Sequence, residues 1–121
     1  MTKVSRFEDL RIWQEARELV NLIYRSISSN PDSSRDWGFR NQIQAAVVSI
    51  MNNIAEGFER GSDKEFARFL DIAKASCGEV RSMLYLAEDL NYVESTLAGE
   101  LREKATQISK GIAALMKHLR K

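Results

Sequence analysis

One histidine, His118, and one cysteine, Cys77, are the whole stock of imidazole and thiol in this chain. A zinc site needs several such ligands, so one of each does not make one. A di-metal site inside a helical bundle needs Glu-x-x-His on facing helices, and the residue three before His118 is Leu115. No Ser-His-Asp set, no Cys-His pair at usable spacing and no Gly-rich phosphate loop occurs either. His118 is expected in the last turn of the last helix, exposed, where a partly protonated imidazole suits the negative end of the dipole. Cys77 falls on an inward stripe and reads as a small core residue. The expectation is a protein with no catalytic residue, no metal and no cofactor.

The other polar constellation lies in "SIMNNIAEGFERGS", residues 49–62. Ser49, Asn53 and Glu56 stand at i, i+4 and i+7, with Gln42 and Arg60 on the same stripe. Three readings are open. A carboxylate could work with amide and hydroxyl helpers, although Glu56 has no second carboxylate on its segment to divide acid and base roles. The stripe could form a polar network between helices or subunits, setting register and partner choice. Or it could be a solvated face, with Glu56 and Arg60 as an i, i+4 pair. Trp13 and Trp37 could stack on bases, but Trp13 shares a face with Leu10 and Val20 and is expected in the core. Trp37 is expected to close one end of the fold.

The elements that must position these groups are helical. The chain has one proline, Pro31. Ser5 and Glu8 form an S-x-x-E capping box, followed by Phe7, Leu10, Trp13, Ala16, Val20, Ile23, Tyr24 and Ile27 at threes and fours, predicting a first helix to about Ser28. "SSNPDSSRDWG" reads as a loop. A second helix carries Ile43, Val47, Ile50, Ile54 and Phe58. Gly61 suits the left-handed position that ends a helix, and Ser62 with Glu65 starts a third, with Phe66, Leu70, Ala73, Cys77, Val80, Leu84 and Ala87. Asn91 is a second left-handed cap and Ser95 the next N-cap. The last helix carries Leu97, Leu101, Ala105, Ile108, Ile112, Leu115 and Leu119. Helices of roughly 22–28 residues, about 33–42 Å each, joined by short connections, predict a single domain over residues 1–121. The expected fold is all-α, an up-down-up-down four-helix bundle. Its interior should include Trp13, Val20, Ile43, Val47, Ile50, Ile54, Phe66, Leu70, Cys77, Leu84, Ile108, Ile112 and Leu115.

Composition narrows the function classes. The 121 residues are 44% hydrophobic and 29% charged, with a formal charge of +1. That balance is globular rather than disordered, and the net charge does not announce a histone-like nucleic-acid partner. The single cysteine fits a reducing compartment. No signal-peptide pattern occurs in "MTKVSRFEDLRIWQEAR", and nothing approaches the roughly 18 apolar residues of a membrane span. A cytoplasmic protein without a membrane partner is expected.

"QIQAAVVSIMNNIAEGFERGSDKEFARFLDIAKASCGEVRSML", with "FEDLRIWQEARELVNLIY" before it and "LAEDLNYV" after it, resembles the four-helix bundle proteins named after intervening sequences in 23S rRNA genes. The resemblance implies a bundle that assembles into a ring, typically of five subunits, without known catalytic activity. Related bundle proteins act as nucleic-acid-binding accessory factors of diversity-generating retroelements. Two departures stand out. Members often carry arginines where this chain has Gln44 and Ala45, and many have a proline at the position of Met51, so this helix should be less kinked.

Two surfaces follow as expectations. On the second helix the apolar arc from Ala46 through Ile54, Phe58, Met51 and Ala55 to Val48 covers roughly 200°, against about 100° for one core. The third helix adds Phe69, Ile72, Met83 and Leu90. Met51, Ala55, Phe69, Ile72 and Met83 are therefore the candidate contacts of a homo-oligomer, expected to be a pentamer. Alternating helices would also gather Lys3, Arg6, Arg11, Arg60, Lys64, Arg68, Lys117, Arg120 and Lys121 at one end. Glu8, Asp9, Glu56, Glu59, Asp63 and Glu65 partly offset them. RNA or DNA is one candidate partner for that end. The other function class is a scaffold whose partner is another protein.

Overall fold

The computed structural model describes residues 4–121, so Lys3 lies outside it. The described chain is all-α, 86% helical, with no strand. A 3₁₀ turn at Phe7–Asp9 precedes α1 (Arg11–Ser29), α2 (Pro31–Arg35), α3 (Trp37–Glu59), α4 (Asp63–Asp89) and α5 (Ser95–Leu119). The four long helices close a cycle: α1 packs on α3 and α5, and α4 packs on the other side of the same two. Along these contacts Gly111 meets Ile12, Lys104 meets Glu18, Ser49 meets Ser76 and Gly57 meets Phe69. None of these helices is long and apolar enough to cross a membrane.

The first helix starts later than the capping box implied. No side chain caps the 3₁₀ turn at Arg6, and Leu10 is extended before α1 begins. The 3₁₀ turn therefore packs against α1 and α3 instead of lengthening α1. The buried face of α1 is Ile12, Ala16, Leu19, Ile23 and Ile27. Trp13 and Val20 sit beside that face and are half-buried, against expectation. Trp13 instead meets Phe7 edge-to-face at 5.2 Å, with the Arg17 guanidinium 5.7 Å over its ring. In α5 Met116 is buried and Leu115 half-buried, a one-residue rotation of the expected stripe. The rest of the predicted interior is buried: Ile43, Val47, Ile50, Ile54, Phe66, Leu70, Cys77, Leu84, Ile108 and Ile112.

The expected loop at 29–36 contains a helix. Asn30 Oδ1 accepts from the backbone N–H of Asp32 and Ser33, and Pro31 occupies the first helical position, where its missing N–H costs nothing. Asp36 then caps α3 by accepting from Phe39 N–H at 3.2 Å. Its other oxygen accepts from the Tyr92 hydroxyl at 2.7 Å, and Tyr92 meets Phe39 edge-to-face at 5.1 Å. Asn30 Nδ2 donates to the Asn91 carbonyl at 3.3 Å. The α1–α3 connection and the α4–α5 connection are thereby tied together. The Tyr92 hydrogen bond, followed by the Phe39 N–H, holds the Asp36 carboxyl below its ordinary value, and Asp36 in turn raises the Tyr92 phenol.

Both left-handed turns occur where expected: Asn91 has φ 59° and Gly61 has φ 82°. Ser95 is not the N-cap of α5. Glu94 is, without a side-chain hydrogen bond, because the Ser95 hydroxyl donates to Glu88 at 3.0 Å. Glu88 also accepts from Arg102 at 2.8 Å, its strongest partner, and both bonds keep its carboxyl ionised below the usual range.

Candidate nucleic-acid interface

The turn from α3 to α4 builds the end of the molecule that carries Arg60, Lys64 and Arg68. Gly57, the glycine of "NIAEG", lies in the α3–α4 contact. A Cβ there would stand 2.6 Å from Phe69 Cβ, 3.1 Å from Phe66 Cδ1 and 3.3 Å from the Phe66 carbonyl. The absent side chain lets the two helices meet just before they part at Gly61. Phe58 and Phe66 pack edge-to-face beside this contact, with centroids 5.7 Å apart. Ser62 Oγ accepts from Glu65 N–H at 3.2 Å and starts α4. The capping box is only half made, since the Glu65 carboxylate is engaged by Arg68 at 3.0 and 3.3 Å.

That choice orders a pair of arginines. The hydrogen bond to Arg68 lowers the Glu65 carboxyl and raises the guanidinium. Arg60 pairs with Glu56 at 3.0 Å. Both guanidiniums lie over the ring of Phe69, at 4.8 Å for Arg60 and 4.6 Å for Arg68. Such exposed ion pairs contribute little stability, but stacking and pairing together limit where each charge can point. Arg6 reaches Glu8 and Asp9 at 3.6 and 3.7 Å, and Arg11 reaches Glu15 at 3.5 Å. Among the described residues, Lys64, Lys117, Arg120 and Lys121 make no ion pair. Lys64, Arg68 and Arg120 line one cleft between the start of α4 and the end of α5, together with Asp63, Glu65, Asp71 and Leu119. Lys74, Lys117 and Arg120 line its continuation, also beside Asp71. His118 is exposed in the last turn of α5, as expected.

The polar stripe of α3 divides. Ser49 and Ser76 share a hydrogen bond of 2.8 Å across the α3–α4 contact. Asn53 Nδ2 donates to the Ser49 hydroxyl at 2.9 Å and to its carbonyl at 2.8 Å. This is the inter-helix network, and it includes Ser76, a buried serine that periodicity did not single out. Glu56 is exposed and bound to Arg60 alone, the solvated i, i+4 pair. No group of three metal-ligating side chains comes together among the described residues. Cys77 is fully buried, and burial pushes its thiol up to about 12.

The five expected contact residues also separate. The chain itself buries Phe69, beneath the two guanidiniums, and Met83, which joins the core cluster. Met51 and Ala55 are half-buried on one flank of α3, while Ile72 is 41% exposed on α4. Leu86 and Leu90 are also exposed, and at 100° per residue they share the Ile72 stripe. Trp37 does not close the end of the bundle: it is 65% exposed, with the Arg40 guanidinium 5.2 Å over its ring.

With this geometry in place the chain can be set beside known proteins. No curated protein matches it. Among solved structures it is similar to a protein with unknown function from the S23 ribosomal protein family of Bacteroides thetaiotaomicron. That match has a TM-score of 0.80 and 21% identity, and it covers 88% of this chain and 98% of the other. At that identity the likeness speaks for the fold. The sequence profile of the family described as 23S rRNA-intervening sequence protein matches residues 8–114, which takes in the Gly57 contact, the polar stripe and the paired arginines. The chain belongs to the 23S rRNA-intervening sequence protein family.

Proposed function

We propose that this protein is a non-enzymatic, cytoplasmic accessory factor that binds RNA or DNA through the end of the molecule where α4 begins and α5 finishes. In this reading it is an up-down-up-down bundle assembled into a cyclic homopentamer. The observation that carries the binding is the cleft of Lys64, Arg68, Lys74, Lys117 and Arg120, four of which have no carboxylate within ion-pair distance among the described residues. Asp63, Glu65 and Asp71 lie in the same cleft, so the excess on one subunit is small. Cyclic repetition multiplies it, from +2 per subunit to about +10 if five such clefts face the same direction.

The reversals at Gly61 and Asn91 and the pairings Ile12–Gly111, Glu18–Lys104 and Ser49–Ser76 support the alternating topology. The α4 stripe of Ile72, Leu86 and Leu90 and the α3 flank of Val48, Met51 and Ala55 support the ring. They are two different surfaces, and a head-to-tail contact between unlike surfaces generates a ring when its rotation closes. Light scattering should report an assembly that Ile72→Glu dissociates, because an unpaired charge is costly to bury; a 13.8 kDa particle at micromolar concentration refutes it. Binding to RNA or DNA should fall steeply with salt through counterion release and show little sequence preference. Changing Lys117, Arg120 and Lys121 to glutamate should weaken binding and flatten that slope while helicity is unchanged. Lack of retention on either nucleic acid at low salt would favour the second reading, a protein scaffold docking through the exposed Ile72, Leu86 and Leu90 stripe.

A further inference from the structure

We propose that Trp37 and Arg40 form a second nucleic-acid contact, a platform on which a single-stranded base stacks, at the opposite end of α3 from Arg60. Trp37 has the highest exposure of the large hydrophobic side chains, 65%. Tryptophan is normally well covered, and it is enriched where one macromolecule meets another. It is the first residue of α3, and α3 is 23 residues long, which sets this site about 34 Å from the arginines over Phe69. The indole is not free to wander. Arg40 lies 5.2 Å from the ring centroid, and its Nη1 donates to the Ser34 carbonyl at 3.2 Å. One guanidinium over the ring leaves most of the indole in solvent.

The surrounding charges select the ligand class. Neither Arg35 nor Arg40 has a carboxylate within 4 Å among the described residues. Asp36 stays ionised between the Tyr92 hydroxyl and the Phe39 N–H, and with Asp32 it lines a cleft beside Arg35, which leaves Arg40 as the cation at the ring. An apolar protein surface docking on Trp37 would bury the Arg40 guanidinium, which has no carboxylate within ion-pair distance among the described residues. A nucleotide brings a π-face for the indole and a phosphate for Arg40 in one unit, and it needs its base unpaired to do so. The inference rests on the nucleic-acid reading for the class of ligand, but on none of the cations at the other end.

The test uses the full chain and a short oligothymidylate at low salt. Binding measured by anisotropy should weaken about 5- to 150-fold in Trp37→Ala, the range of one base–aromatic stack, and far less in Trp37→Phe. In Trp13→Phe protein, where Trp37 is the remaining indole, the oligonucleotide should quench fluorescence. Trp37→Ala equal to wild type overturns the proposal even if the glutamate triple variant shows that the cationic cleft binds. Loss in Trp37→Ala with full binding by the triple variant supports this site and refutes the cleft. No binding by wild type refutes both. Dissociation of the assembly by Trp37→Ala, without an effect on oligonucleotide binding, assigns the residue to a protein contact and overturns the proposal.

Discussion

Replacing Gly57 with alanine inserts one methyl group where the structure has no space for it. Its Cβ would lie 2.6 Å from Phe69 Cβ, whereas carbon atoms pack best at about 3.5–4.0 Å. The obstructing atom is attached to the α4 backbone, and the Phe66 carbonyl closes in at 3.3 Å. Neither can rotate aside, so α3 and α4 must separate by about 1 Å at this level. Overpacking of this kind costs about 1–3 kcal/mol, and backbone contacts place it at the upper end. Alanine recovers about 1 kcal/mol of helix propensity over glycine. The net is about 2 kcal/mol of destabilisation. For 121 residues at about 2.1 cal/mol/K each, the melting temperature should fall by about 8 °C. Gly78 is the control, since it is an exposed glycine of the same helix pair with nothing within 4 Å of an added Cβ. There alanine should raise the melting temperature by about 4 °C. Thermal unfolding followed by circular dichroism reads both. Gly57→Ala as stable as wild type would show that this glycine is not what allows the helices to meet.

Three further outcomes can be measured. Tyr92→Phe removes the main cause of the lowered Asp36 carboxyl; because that carboxyl is depressed in the folded state, its contribution is present above about 3.8 and lost as pH falls below it, so wild type should lose stability in acid more steeply than the variant. Cys77 should resist thiol reagents at pH 8 in the native protein and react on unfolding, since its thiol is buried and raised from 9.0 to about 12; the same shift predicts stability falling as pH rises from 9 toward 12. Ser49→Ala leaves the buried Ser76 hydroxyl without its partner and should cost about 1–3 kcal/mol in urea unfolding, more than the exposed Glu56→Ala.

The amphipathic stripes of α3, α4 and α5, the left-handed residues Gly61 and Asn91, and the inward place of Cys77 were legible in the sequence. Each depends on a local rule: 3.6-residue periodicity, a backbone conformation glycine and asparagine tolerate, and the hydrophobic character of neighbours three and four away. Other features depended on residues far apart in the chain. The start of α1 moved from Ser5 to Arg11 because wrapping Phe7 onto Trp13 competed with the local capping box. The polar stripe divided because Ser76 of α4 hydrogen-bonds Ser49, to which Asn53 also donates, whereas Glu56 bonds Arg60 of its own helix. Phe69 went from candidate contact to buried ring because Gly57 admits α4 closely and two arginines cover what remains. Periodicity says which side of a helix is apolar, but which flank is covered depends on the distance to the next helix. At the α3–α4 turn that distance is determined by the hydrogen atom that Gly57 has in place of a side chain.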